Sequence, residues 1–279
     1  MKLTVLVDNN SIIDRYFLAE PGFCYYIEEG EVKLLFDVGY SRIFIDNAQK
    51  MNVDLNHLNY VVFSHGHLDH TGGLDPLMQY YLERGFEGTS DFVKPMVLAH
   101  PDCFKPKYIK GIGEIGSRVS EKMVARNFKM VLSKDPYWLT EKLVFLGEIE
   151  RVNDFENRIP IGKMIEDDKE KDDYVLDDSA LVYKTEEGLV IITGCSHSGI
   201  CNIIEKAKNV CSDERIVDII GGFHLLSPEK NVMDQTLEYI ENARPEIIHA
   251  CHCTDLKSKI LLSKIAELEE VGVGLKLVY

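Results

Sequence analysis

The sequence contains no uninterrupted apolar run near the roughly 18 residues that a membrane span requires. Its N-terminus also lacks a basic region followed by an apolar stretch, so Met1 to Asp8 reads as a first strand and not as a signal peptide. The expected setting is cytoplasmic. Basic residues are scarce: 31 Lys and Arg stand against 46 Asp and Glu, a formal charge of −15. That balance excludes a general affinity for nucleic acid or an anionic membrane, because attraction to phosphate needs a basic surface. A small anionic substrate is still allowed wherever bound cations supply the positive charge. Cysteine pairs are missing too. Seven cysteines are scattered without one Cys-x-x-Cys, the usage of a reduced compartment and not of a disulfide framework.

What is present is a core-forming chain of 279 residues, 45% of them hydrophobic. Length alone does not choose between one large domain and two small ones. The densest chemistry lies in Ser64-His65-Gly66-His67-Leu68-Asp69-His70-Thr71-Gly72-Gly73, where four potential metal ligands fall within six positions. The apolar run Tyr60 to Phe63 before it predicts a short buried strand. On extended backbone the alternating His65 and His67 point the same way, and Asp69 and His70 follow on the next turn of chain. Imidazole and carboxylate suit a borderline divalent cation.

Strands are predicted at Leu3 to Val7, Phe23 to Glu28 and Lys33 to Val38, the last two forming a hairpin, followed by a helix from Ile43 to Met51. Asp37 reads as a carboxylate capping a strand end, with a ligand or a base as the alternative. A helix is predicted over Leu74 to Arg84, a break over 85–90, and a strand from Pro95 to His100, with His100 structural or a pocket wall. Residues 104 to 140 read as an insertion. Lys105, Lys107, Lys110, Arg118 and Lys122 make it locally basic, so it is either a closing segment over an anionic substrate or a solvated loop.

Lys142 to Phe145 reads as a further strand. Eight of the thirteen residues from Glu166 to Asp178 are acidic, which reads as a solvated loop ending at a strand over Ala180 to Lys184. Asp178 is left as either ligand or strand cap. The apolar strand Leu189 to Thr193 runs into Gly194-Cys195-Ser196-His197-Ser198-Gly199 and then a helix with Ile200, Ile203, Ile204, Ala207 and Cys211 in helical spacing. His197 is a ligand candidate and Cys195 a weaker one. Ser198 and the free amides after Gly199 are expected to hold an anion.

Ile216 to Ile220 is the next strand, with His224 after its turn read as making a hydrogen bond to substrate in preference to ligating a metal. Ser227-Pro228 predicts a helix start. Pro245 to His249 is a strand carrying on to His252, another ligand candidate, with Cys251 and Cys253 turned into the core. A helix over Leu256 to Glu270 and an edge strand from Gly274 to Tyr279 complete the chain.

The His65-x-His67-x-Asp69-His70 motif after a strand, with later histidines at strand ends, resembles the metallo-beta-lactamase superfamily. The resemblance implies a four-layer αβ/βα sandwich of α/β class, two mixed sheets flanked by helices, in a single domain over 1–279 with an insertion at about 104–140. It also implies a dinuclear site. His65 and His67 would serve one ion, Asp69 and His70 the other, and His252 would take the place of the final motif. One or two divalent ions are expected: zinc first, with manganese, iron or magnesium as alternatives. The family's usual histidine before the penultimate strand is replaced here by Asp177 or Asp178, and its bridging aspartate by Cys195.

More narrowly, six stretches resemble the dihydropteroate-synthase-like subgroup, the 7,8-dihydropterin-6-methyl-4-(beta-D-ribofuranosyl)aminobenzene-5'-phosphate synthases. They are His70 to Leu74, Gly147 to Glu156, Asp177 to Leu181, Thr193 to Ile200, Gly221 to Leu225 and His252 to Thr254. The first expectation is a hydrolase of a small phosphorylated or anionic metabolite acting through a metal-bound hydroxide, with Asp69 as the catalytic carboxylate. The alternative is a pterin-type transferase releasing diphosphate. A redox di-iron protein fits less well, since such relatives carry Glu where this chain has His67, and a non-catalytic binding protein is a further alternative. No oligomeric state is assigned.

Overall fold

The structure is a computed structural model and describes residues 1–88 and 92–279. Of the predicted break at 85–90, positions 89 and 90 lie outside the described residues.

Strand alternation builds the layers. In Leu189–Thr193, Val190 and Ile192 face the partner sheet while Leu189 and Ile191 face helices, as a period of two demands. In Lys2–Val7, Leu3 and Val5 point between the sheets and Leu6 points toward helices. The first sheet has seven strands in the order Lys276–Val278, Lys2–Val7, Cys24–Glu29, Val32–Phe36, Tyr60–Val62, Met96–Ala99 and Lys129–Leu132. Its first three pairings are antiparallel and its last three parallel.

The second sheet mirrors that plan. Its order is Glu267–Leu268, Ile247–Cys251, Ile216–Gly222, Leu189–Thr193, Ala180–Lys184, Leu143–Phe145 and Tyr137–Trp138. One core cluster fills the space between the sheets, with Leu3, Phe23, Phe36, Phe145, Leu181 and Ile192. Helices α1 (Ile43–Lys50), α2 (Leu68–Thr71), α3 (Leu74–Phe86) and α4 (Glu121–Asn127) belong to the first half of the chain. Residues of α1, α3 and α4 join the core on the first sheet's outer face. Helices α5 (Ile200–Cys211), α6 (Lys230–Ala243) and α7 (Leu256–Leu262) cover the second sheet. The result is the expected sandwich of helices, sheet, sheet and helices.

Several local expectations change. The acidic run is no loop: Gly162–Glu166 and Lys169–Asp173 pair as a hairpin in a separate four-stranded sheet with Lys107–Ile109 and Gly113–Glu114. Lys163 pairs with Asp172, and Lys105 and Lys171 both pair with Glu166, so cations offset the acids across strands. Of the segment 104–140 expected as an insertion, residues 129–132 form an edge strand of the first sheet and 137–138 an edge strand of the second. Ser227 caps nothing. Its φ is +47°, its amide donates to Asp255, and α6 starts at Lys230 instead. The helix predicted over 256–270 stops at Leu262, where the chain turns into the short strand Glu267–Leu268. All seven cysteines are free and buried.

Candidate metal centre

The strand ends of both sheets meet at one edge of the sandwich. From the first sheet, Tyr60–Val62 runs out through Phe63 and Ser64 to His65 and His67, and α2 then carries Asp69 and His70. From the second, Leu189–Thr193 delivers Cys195 and His197, and Ile247–Cys251 delivers His252. His67 is extended (φ −69°, ψ 153°), which turns its ring to the side that His65 uses. The two ring centroids are 4.6 Å apart. His252 and His224 both sit in left-handed backbone, with φ of +49° and +51°. Such positions are sparse for non-glycine residues, and here they lie at the same rim.

Two groups of ligand atoms result. His65, His67 and His197 form one; Asp69, His70, Cys195 and His252 form the other. Within each, the atoms lie within 4.8 Å of one another. The groups adjoin, since the His65 and His70 rings are 4.1 Å apart. In the second, His70 Nε2 lies 3.1 Å from Cys195 Sγ and 3.2 Å from His252 Nε2. Asp69 Oδ2 is 3.4 Å from His252 Nε2.

Outer partners fix which nitrogen faces inward. His70 Nδ1 is 2.7 Å from Asp37 Oδ2, His65 Nδ1 2.9 Å from Ser64 Oγ, and His252 Nδ1 3.0 Å from Asn9 Oδ1. Each of these rings therefore turns Nε2 toward the centre, the arrangement that orients a ligating imidazole. Asp37 is more than a strand cap: it also accepts from Ser64 N and Ser64 Oγ at 2.7 and 2.6 Å.

The residues fit a divalent cation. Nε2 of His65 and His67, and both ring nitrogens of His197, are buried with no hydrogen-bond partner among the described residues. Unpartnered buried polar atoms are costly and rare, and a cation shared by three converging imidazoles would satisfy them. Burial lowers the pKa of His65 well below its ordinary value, helped by the neighbouring histidines, and lowers His67 to about 4. Burial with His224 and His67 nearby does the same to His197. These rings are thus neutral, with lone pairs free for coordination. In the second group burial would lower His70, but Asp69 and Asp37 outweigh it and push it up to about 9. Burial would likewise raise Asp69, yet His70 and His252 hold it well below the usual carboxylate range. Asp69 and His70 thus favour opposite charges here, and a cation bound between them would take over the role of the His70 proton.

His65, His67, Asp69, His70, His197 and His252 all come together, and Cys195 joins them. His224 stands beside them, its ring 4.3 Å from that of His197, but Asp178 and Ser198 do not join. Asp178 is in neither group among the described residues; it accepts from Ser198 N at 2.8 Å and Ser198 Oγ at 2.5 Å. Ser198 is therefore turned inward and is not available to substrate, contrary to expectation. The anion site expected at the start of α5 is also filled from within. Glu156 accepts from Cys201 N at 3.0 Å and from Asn202 N at 2.9 Å, so the chain's own carboxylate occupies the helix terminus. His100 bonds Glu148 and the amide of Asp102, the structural role expected for it.

Sequence reasoning missed Asn9 and Glu156, read Asp37 as a strand cap and Asp177 as a possible ligand, and did not foresee the pairing of Lys107 with Asp177. These roles arise through contacts between distant segments.

A cavity of about 370 Å³ opens beside His197 and His224, walled by Phe155, Ile159 and Phe223 with Arg158 among its lining residues. Its size suits a small molecule. A larger cavity of about 460 Å³, lined by Tyr40, Thr71 and Arg118, includes none of the grouped ligand residues.

The fold and this edge define a class of protein: the chain belongs to the metallo-beta-lactamase superfamily, whose family model matches residues 18–96. It is 30% identical over 274 residues to the uncharacterized protein MJ0448 of Methanocaldococcus jannaschii, covering 98% of this chain and 96% of that one. It is 28% identical over 275 residues to the 7,8-dihydropterin-6-methyl-4-(beta-D-ribofuranosyl)-aminobenzene-5'-phosphate synthase of the same organism, covering 93% and 89%. Among solved structures, Tm1679, a metal-dependent hydrolase of the beta-lactamase superfamily, superposes with a TM-score of 0.82 at 26% identity, over 100% of this chain and 99% of that one.

Proposed function

We propose that the chain is a metal-dependent hydrolase of a small phosphorylated or otherwise anionic metabolite, with two divalent cations, zinc foremost, as its cofactor. The observation that carries this reading is the pair of adjoining ligand groups, in the first of which the buried Nε2 atoms of His65 and His67 and both ring nitrogens of His197 have no partner among the described residues. His65, His67 and His197 would hold one ion, and Asp69, His70, Cys195 and His252 the other. Cations held there acidify a water and stabilise negative charge on a substrate oxygen.

The chain's own groups do the rest. Asp69 is the most exposed of the seven, its side chain 36% accessible, so it can orient the attacking water and take up its proton. His224 lines the cavity with an unpartnered buried Nδ1 available to a polar substrate atom. Arg158 offers positive charge to an anionic end, and the Phe155 and Phe223 walls exclude water from the body of the ligand.

A second reading, a transferase joining a dihydropterin methyl diphosphate to an aminobenzene ribofuranosyl phosphate, is supported by the 28% identity to a relative named for that product. Metal-loaded protein is to be assayed against phosphoesters, lactones and thioesters, and separately for coupling of the dihydropterin and aminobenzene substrates. Turnover in the first set, lost together with metal in His67→Ala, is expected. Coupled product without hydrolysis would establish the second reading instead. Full activity in a metal-free His67→Ala protein would overturn both.

A further inference from the structure

Lys107 is fully buried and Asp177 nearly so, and their charges meet at 2.9 Å. Removing two charges from water is costly, and a buried pair of this kind is often no more stabilising than apolar residues of equal volume. Stability alone therefore gives little reason for it. Its contacts give a better one.

Asp177 Oδ2 accepts two hydrogen bonds, from Lys107 Nζ and, at 2.8 Å, from the backbone amide of Gly66. Gly66 stands between His65 and His67. It lies outside any strand or helix, so no ladder partner orients its peptide. The loop is held from the other side as well. Lys107 Nζ donates to Asp102 O at 2.8 Å, the Lys107 carbonyl accepts from Ile115 N and Gly116 N, Ile115 O accepts from Leu68 N, and Gly116 bridges to His67. Space at Gly66 is closed: an added Cβ would stand 1.9 Å from Cys103 O and 2.9 Å from Lys107 Nζ. Asp177 itself is carried at the entry to Ala180–Lys184, an interior strand of the second sheet and a rigid base.

We infer that the Lys107–Asp177 ion pair is a positioning device for the metal loop, holding the Gly66 peptide so that the flanking His65 and His67 rings face His197. The inference rests on the metal-site reading above. It assigns to Asp177 the task of supporting two ligands from behind, and to Lys107 the task of keeping that carboxylate in place. Because both hydrogen bonds end on one oxygen, an asparagine amide oxygen at that point can accept both.

The test is cobalt binding to wild-type, Asp177→Ala and Asp177→Asn proteins, read by chelator competition and by the visible spectrum of the bound ion. Asp177→Ala is expected to weaken cobalt at the three-histidine group by about 10-fold or more, the usual effect of losing an outer-shell partner. Its ligand-field bands should change while the thiolate charge-transfer band from Cys195 persists. Asp177→Asn is expected to stay within about threefold of wild type with an unaltered spectrum, as a held amide requires. Should Asp177→Ala fail to fold, the double variant Lys107→Met with Asp177→Leu removes both charges and is expected to show the same weakening. Wild-type affinity and spectrum in the alanine or double variant would overturn the inference, as would equal weakening in Asp177→Asn. Absence of cobalt from the wild-type protein would instead overturn the metal-site reading on which it rests.

Discussion

At the residue scale, three of the imidazoles, those of His65, His70 and His252, are prepared by neighbours that the metal would never touch. Asp37 shows this best. Its carboxylate accepts from Ser64 and lies 2.7 Å from His70 Nδ1, which leaves His70 Nε2 facing Cys195 and His252. Replacing Asp37 with Ala should weaken cation binding at the second group by about 10- to 100-fold, and at the three-histidine group by less, since His65 reaches Asp37 only through Ser64. Competition with a chelator, monitored as each equivalent of metal is withdrawn, separates the two. The cluster of candidate ligands at residues 65 to 70 was legible in the sequence, because histidine and aspartate at alternating spacing after an apolar strand put several potential metal-binding atoms on one short loop. Asn9, which orients His252 across 243 positions, was not, since nothing local marks a side chain whose partner lies at the far end of the chain.

At the element scale, the start of α5 is the place where local reasoning was right about structure and wrong about use. The helical spacing from Ile200 to Cys211 is present and its apolar face is buried. The free amides at its start are real, but Glu156 takes them, bonding Cys201 N and Asn202 N. Gly199 leaves the necessary room: a Cβ there would stand 2.3 Å from the Glu156 carboxyl carbon. A loop residue some forty positions upstream cannot be recognised as a cap from spacing alone. Glu156→Ala should destabilise the fold by about 1–2 kcal/mol, measured by urea denaturation, through loss of an N-terminal cap. Retained metal content in that variant would separate the cap's role from the site's. The acidic hairpin makes a similar point. Its run of carboxylates suggested a solvated loop, but lysines at 105, 163 and 171 pair with them across strands.

On the scale of the whole molecule, the strand patterns located individual strands and helices, while their arrangement as two sheets with helices outside was anticipated from the resemblance to the superfamily. The pairing of 129–132 with one sheet and 137–138 with the other was hidden, since an edge strand of two to four residues carries little periodic signal. The ligands come from both sheets, so cations bound at this edge would tie the two halves of the sandwich together. Removing metal by chelation should therefore lower the Tm. At cation concentrations about 100-fold above Kd the stabilisation is about 2.7 kcal/mol, which for a chain of this size is on the order of 5–10 °C. An unchanged Tm in proteins with and without metal would speak against a site shared by both sheets.

The most direct measurement is anomalous scattering from crystals of the zinc-loaded protein, collected on either side of the zinc absorption edge. Two peaks are expected, one enclosed by His65, His67 and His197 and the other by Asp69, His70, Cys195 and His252. Zinc bound elsewhere, with these seven side chains left uncoordinated, would contradict the proposed centre and the chemistry assigned to it.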